Sequence, residues 1–159
     1  MFHIVLHQPK IPQNTGSIIR LCANSGTALH LIKPLGFDLD DTKLRRAGLD
    51  YREFVAVRVH ASMMDFQRDV KPVRLFACSK FGRRLYSTVS FCEGDALLFG
   101  SETEGLPVSI RKTLPDDQVL CIPMMPDNRS LNLANAVAVI LYEAWRQNDF
   151  SGAGGFHKS

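Results

Sequence analysis

The sequence predicts an α/β fold: one mostly parallel sheet with helices on both faces. Three observations carry this. Short apolar runs of strand length alternate with amphipathic stretches of helix length along the chain. The alternation continues from residue 1 to about residue 150 with no internal repeat and no linker, so these residues read as a single domain. A chain of 159 residues, 45% of them apolar, is long enough to cover a sheet on two sides and too apolar to be mostly disordered.

In chain order, residues 2–7 read as a strand, 14–25 as a helix closed by Gly26, and 28–32 as a second strand. A short helix is expected over 41–47, a strand over 55–60 and a helix over 62–70. Three further strands follow at 74–78, 95–100 and 118–122, with a helix at 107–114 between the last two. Pro107 suits a first helical position because proline has no N–H to leave unpaired. The last helix is the strongest signal. Asp127, Asn128 and Ser130 are residue types that cap a helix start, since their oxygens accept bonds from unpaired backbone N–H groups. Beyond them Leu133, Val137, Ile140 and Ala144 form one apolar stripe, and Ala134, Ala138, Leu141 and Trp145 a second. A helix apolar over so much of its circumference needs cover on more than one side, which points to a core on one side and a partner subunit on the other. The glycine-rich 151–159 reads as a flexible tail.

Composition narrows the function. No apolar run is long enough to span a bilayer, and the first residues read as a strand, not as a signal peptide, so no membrane association and a cytoplasmic location are expected. Cys22, Cys78, Cys92 and Cys121 form no C-x-x-C pair and the histidines are scattered, so no metal site is expected and the cysteines read as buried thiols. The net charge of +3 is weak evidence for a polyanionic partner. Charges of both signs alternate between residues 40 and 53, as on a solvated face. Lys80, Arg83 and Arg84 are better candidates for a phosphate contact because no acid separates them, although taken alone such a cluster is more often an ordinary charged loop.

Two segments besides the last loop and helix invite a ligand. The first is Ile11-Pro-Gln-Asn-Thr-Gly-Ser-Ile-Ile-Arg-Leu-Cys-Ala-Asn-Ser-Gly26; the other is Leu97-Leu-Phe-Gly-Ser-Glu-Thr-Glu-Gly-Leu-Pro107. Gly100 and Gly105 have phosphate-loop spacing, but Leu106 and Pro107 stand where such a loop needs Lys and Ser or Thr, so that reading fails. A tight strand-to-helix turn would explain these glycines; so would a backbone bending around a ligand. A second loop, from Ile122 to Ser130, also follows a strand, which favours the ligand. Glu102 and Glu104 on one turn need not face each other as an acid–base pair.

Together with the stretch Ile122-Pro-Met-Met-Pro-Asp-Asn-Arg-Ser-Leu-Asn132, these segments resemble the three ordered motifs of the SPOUT RNA methyltransferases. The resemblance runs over roughly residues 2–150, through Arg45-Arg-Ala-Gly-Leu-Asp-Tyr51 and Tyr142-Glu-Ala-Trp-Arg146. It is greatest to bacterial members that 2'-O-methylate cytidine or uridine 34 of tRNA. The resemblance implies a C-terminal trefoil knot around a pocket for S-adenosylmethionine and its product S-adenosylhomocysteine. It assigns cofactor binding to Cys78, Gly100, Glu102, Gly105, Ile122, Ser130 and Leu131. Asn14, Arg129, Asn132 and Tyr142 are assigned to RNA or to the subunit interface of a homodimer, although Arg129, Ser130 and Asn132 could also simply cap the helix, and Tyr142 could be a core residue. Arg20 falls at the catalytic centre. A guanidinium accepts a proton poorly, so positioning the ribose or phosphate and stabilising a developing alkoxide is the role that suits it; a surface arginine near the end of a helix is the plainer alternative. Glu104 departs from the family pattern, which carries a basic residue there. Two other functions stay open: methylation of ribosomal RNA, and a non-catalytic RNA-binding module with this fold.

Overall fold

The computed structural model describes residues 1–40, 42–45 and 56–154. Its strands are β1 (His3–His7), β2 (Ala28–Ile32), β3 (Val57–His60), β4 (Leu75–Cys78), β5 (Arg84–Leu85), β6 (Ala96–Phe99) and β7 (Val119–Cys121). The helices are α1 (Pro12–Ser25), α2 (Thr42–Arg45), α3 (Met63–Val70), α4 (Val108–Arg111) and α5 (Leu133–Gln147). The strands join in the order β3-β2-β1-β6-β4-β7-β5, and every pair is parallel.

Side chains alternate between the two faces of each strand, and the core divides accordingly. On one face Ile4, Leu6, Leu29, Leu31, Leu97 and Phe99 pack with Ile18, Ile19 and Cys22 of α1 and with α5. On the other face Val5, Ile32, Ala77, Ala96 and Leu98 meet Phe66 of α3 and Leu106, with Ile110 of α4 beside them. The expected architecture, helices on both faces of a parallel sheet, is what the chain adopts.

Most elements fall where the sequence puts them, and the departures have local causes. The left-handed Gly26 (φ 63°) closes α1, and the Ser62 hydroxyl accepts the Asp65 N–H to start α3. The helix expected at 107–114 is a single turn. Pro107 is extended (ψ 142°) and caps that turn, its carbonyl accepting from the N–H groups of Ile110 and Arg111, so it does not occupy the first helical position. The cap of α5 is Asn132, whose Oδ1 accepts from Ala134 and Asn135, and not Asp127, Asn128 or Ser130. Asp127 has φ 63°, inside the preceding turn. The first expected stripe of α5, Leu133, Val137, Ile140 and Ala144, is buried, because the helix lies against both α1 and the sheet; of the second, Leu141 is buried while Ala134, Ala138 and Trp145 are half-buried. Its exposed apolar side chains are Val139 (37%) and Tyr142 (43%).

Residues 41, 46 and 47 of the expected helix at 41–47 lie outside the described residues, as does residue 55 of the expected strand at 55–60. So do 46–51 of the Arg45–Tyr51 match and residues 155–159 of the tail. As far as Ala153, the chain after α5 is held by hydrogen bonds: Ser151 accepts from Trp145 Nε1 (3.0 Å), and Ala153 N–H donates to Phe150. All four cysteines are free. Only Cys22 is fully buried; Cys78 and Cys121 are half-buried and Cys92 is exposed, which departs from the expectation of buried thiols throughout. No helix among the described residues is long and apolar enough to cross a membrane.

Candidate functional site

In a parallel sheet all the strands end at the same edge, so the loops that follow neighbouring strands converge there. β6 lies between β1 and β4, and β4 lies between β6 and β7. The loops after Cys78, Phe99 and Cys121 therefore meet over the sheet edge, together with the first turn of α1 and the entry to α5. They enclose a cavity of about 420 Å³. Apolar side chains of Cys78, Phe99, Leu106, Ile122, Leu131 and Leu133 line it, with polar groups from Asn14, Ser101, Ser130 and Asn132.

The 100–106 loop closes on itself. Ser101 bridges Gly105, whose N–H donates to the Ser101 carbonyl (2.9 Å) while its φ of 67° turns the chain back. A Cβ on Gly100 would lie 2.0 Å from the Gly105 carbonyl carbon, so no larger residue fits there. Of the two explanations for these glycines, the geometry contains both: the turn is tight, and it forms one wall of the cavity.

Glu102 ties this loop to α1. Its carboxylate accepts from the backbone N–H groups of Lys10 (2.8 Å) and Ile11 (3.1 Å) and from the Asn14 amide (3.4 Å). Asn14 Oδ1 in turn accepts from Asn132 Nδ2 (2.9 Å), and Asn132 caps α5. One hydrogen-bonded chain, Glu102–Asn14–Asn132, thus links all three sequence segments. Glu104 pairs with Lys10 Nζ at 2.7 Å, and that bond holds its carboxyl below the usual carboxylate range. The two glutamates clamp Lys10 and do not face each other as an acid–base pair.

Burial pushes the Cys78 thiol up to about 12, so it is a neutral wall residue and not a nucleophile. Cys78, Gly100, Glu102, Gly105, Ile122, Ser130, Leu131, Asn14 and Asn132 all line the cavity. Arg20, Arg129 and Tyr142 do not: Arg20 is exposed on α1, Arg129 is exposed before α5, and Tyr142 packs edge-on against Trp145 on α5. Of the three basic candidates, Lys80 lines the cavity. Arg84 is tied to the carbonyls of Thr88 and Asp117, and Arg83 lies 3.5 Å from Asp116. Sequence reasoning did not single out Lys10, Ser79, Phe81, Ser101 or Met124; for Phe81 the sequence shows an aromatic residue next to Lys80 but not its exposure or its contact with Arg111. Among the described residues no group of three His, Cys, Asp or Glu side chains could hold a metal ion.

The cavity suits a nucleoside-sized ligand with a polar tail. Its volume falls in the range of small-molecule sites, apolar and polar groups share its walls, and Gly100 lets the loop fold tightly enough to form one of them. These features fit S-adenosylmethionine.

Comparison with known proteins agrees. The chain is 56% identical over 153 residues to the tRNA (cytidine(34)-2'-O)-methyltransferase of Aeromonas hydrophila, covering 96% of this chain and 98% of the relative. It is equally similar, with the same coverage, to the enzyme of that name from Escherichia coli strain K12. A structure solved for insight into the 2-OH methylation of C/U34 on tRNA superposes with TM-score 0.86 at 47% identity, covering 94% of this chain and 97% of the other. The methyltransferase AviRb of Streptomyces viridochromogenes, in complex with AdoMet, superposes with TM-score 0.82 at 29% identity over 92% of this chain and 60% of that one. The SpoU rRNA Methylase family matches residues 1–142. With most of its length matched and full-length relatives above half identity, the chain belongs to the SpoU methylase family.

Proposed function

We propose that the chain transfers a methyl group from S-adenosylmethionine to the ribose 2'-oxygen of the wobble nucleotide, cytidine or uridine 34, in the tRNA anticodon loop. The observation that carries this is the single cavity built by all three motif segments and joined by Glu102, Asn14 and Asn132. The full-length likeness to enzymes named for that reaction supports the substrate.

When bound, S-adenosylmethionine supplies an electrophilic methyl group, and transfer to an oxygen is an in-line displacement that depends on positioning. Cys78, Gly100, Gly105, Ile122, Ser130 and Leu131, which line the cavity, would hold the cofactor and its methyl group against the incoming oxygen. Glu102 is occupied by three donors, so it braces the pocket and is not a base. Among the described residues no histidine lines the cavity. The ribose proton therefore leaves to solvent or to a group delivered at the rim. Arg20 lies about 9 Å along the α1 axis from Asn14 and faces solvent, which suits a role in holding the incoming ribose-phosphate and the developing alkoxide. Arg129, exposed beside Ser130, suits a phosphate contact.

The reading includes a homodimer with Val139 and Tyr142 of α5 in its interface, a trefoil-threaded C-terminal half, and a cytoplasmic enzyme. Two experiments test it. Calorimetry with S-adenosylmethionine and S-adenosylhomocysteine should give binding of both; no binding at millimolar ligand would leave only an RNA-binding module. Mapping 2'-O-methylation in RNA from cells with and without the gene should show loss at tRNA position 34. Loss confined to ribosomal RNA would overturn the substrate and keep the chemistry.

A further inference from the structure

At the rim of the cavity an aromatic ring faces solvent where a core residue would be expected. Phe81 is 61% exposed, yet its backbone is held in place. Its N–H donates to the Ser79 hydroxyl (3.2 Å), Gly82 N–H donates to the Ser79 carbonyl (2.9 Å), and Ser79 N–H donates to Leu120 of β7 (2.9 Å). A Cβ on Gly82 would lie 2.4 Å from the Leu120 carbonyl, so the turn sits flat on the strand and admits only glycine. An exposed phenylalanine loses hydrophobic stabilisation, and fixing it on a rigid turn recovers none of it.

Two cations flank the ring. The Arg111 guanidinium lies 4.4 Å from its centroid and the Lys80 ammonium 5.2 Å. Neither pairs with a carboxylate among the described residues. Arg111 Nε is buried without a hydrogen-bond partner, so the guanidinium is held by the ring and not by an acid.

We propose that Phe81 is a stacking platform for a nucleobase of the RNA strand, with Lys80 and Arg111 receiving the phosphates on either side of that base. The proposal rests on the RNA methyltransferase reading and adds to it the residue that grips the unpaired loop. The other planar group available is the cofactor's adenine. Charge favours the RNA: S-adenosylmethionine, with a sulfonium, an ammonium and one carboxylate, carries no net negative charge, whereas a strand offers two unpaired cations a phosphate at every nucleotide. A single-stranded loop presents bases free to stack, as a duplex stem does not.

The test is fluorescence anisotropy of the full-length protein with a synthetic tRNA anticodon stem-loop and with its stem as a plain duplex, beside calorimetry with S-adenosylhomocysteine. Phe81→Leu should bind the stem-loop about five- to a hundredfold more weakly, the range of one lost base stack. Its affinity for duplex and for S-adenosylhomocysteine should stay within about twofold of wild type, and Phe81→Trp should restore stem-loop binding. Unchanged stem-loop binding in Phe81→Leu overturns the platform. So does a loss of S-adenosylhomocysteine binding in that variant, which would assign the ring to adenine, or a wild type that binds duplex as well as loop. If the wild type also methylates no tRNA in the mapping experiment, the functional reading falls with the platform; if it does methylate, the platform falls alone.

Discussion

Glu102 and Arg20 show how differently two charged residues of one family motif set can act. The Glu102 carboxylate spans from the β6 loop to the start of α1, 91 and 92 residues away in sequence, and satisfies two backbone donors there. Glu102→Ala strands those N–H groups and should lower stability by about 1–3 kcal/mol, read as a lower urea midpoint with unchanged slope. It should also weaken S-adenosylhomocysteine binding, because the Asn14 bridge to α5 loses its anchor. Normal affinity in a destabilised Glu102→Ala would mean that the cavity does not depend on this brace. Arg20 is exposed, and its loss should leave stability and cofactor affinity near normal. If Arg20 holds the ribose and its developing charge, Arg20→Ala should lose single-turnover transfer by about a hundredfold or more. Arg20→Lys is the finer probe. It keeps the charge without the planar fork, so a large loss there points to bidentate positioning. A lysine variant that recovers at high pH would favour a proton-accepting role instead. Transfer at the wild-type rate in Arg20→Ala would remove the residue from the reaction.

At the scale of elements, α5 carries both a cap and a surface. Asn132→Ala removes the acceptor for Ala134 and Asn135, and should cost about 1 kcal/mol of stability beyond any effect on the pocket. Val139 and Tyr142 are the exposed apolar side chains of this helix. Tyr142→Asp would put a charge into a desolvated contact if the dimer forms there. Sedimentation equilibrium should then show at least about a tenfold weaker dimer, by an estimate from a buried, unpaired polar group; an unchanged dimer would place the interface elsewhere. Elements with strong punctuation were legible in the sequence. β2 and α1 meet at Gly26, and Ser62 opens α3. β5, with only Arg84 and Leu85, has no periodicity to read and exists because it lies on β7. The sequence leaves the α5 cap open among Asp127, Asn128, Ser130 and Asn132, all capping types within six residues, and only tertiary contact with Asn14 distinguishes the last. The cavity walls follow strand ends and glycines, so they could be anticipated. The Lys10 clamp and the Phe81 rim depend on contacts between distant segments, which no local pattern encodes.

For the whole molecule, the most consequential feature outside the pocket is a row of histidines across the other half of the sheet. His3 Nδ1 lies 3.1 Å from His30 Nε2, and His30 Nδ1 lies 3.0 Å from His60 Nε2, joining β1, β2 and β3. Each of these short contacts needs one proton and one lone pair, so the row is satisfied when all three rings are neutral. His30 is fully buried, and Phe66 packs edge-on against both it and His60. Burial pushes His30 down to about 3, with the neighbouring histidines and Arg58 adding to the shift. His3 is lowered by burial, the N-terminal charge and Arg58. His60 is lowered by burial and Arg58, against an opposing pull from Asp69 and Asp65. A histidine depressed in the folded state binds its proton first in the unfolded chain. Stability is therefore complete above the unfolded value near 6.5 and declines as pH falls from there towards 3. The slope contributed by His30 alone is about 1.4 kcal/mol per pH unit once the unfolded ring is protonated. Between about pH 5 and 6.5 the carboxylates are still ionised in both states, so that window isolates the histidines. Urea unfolding at steps across this window should show stability falling with pH. In His30→Gln, which can still hydrogen-bond to both neighbours, the fall should be shallower by about one proton. A slope equal to wild type in that variant would show that the row is protonated in the folded protein and that its contacts do not set the acid limit of the fold.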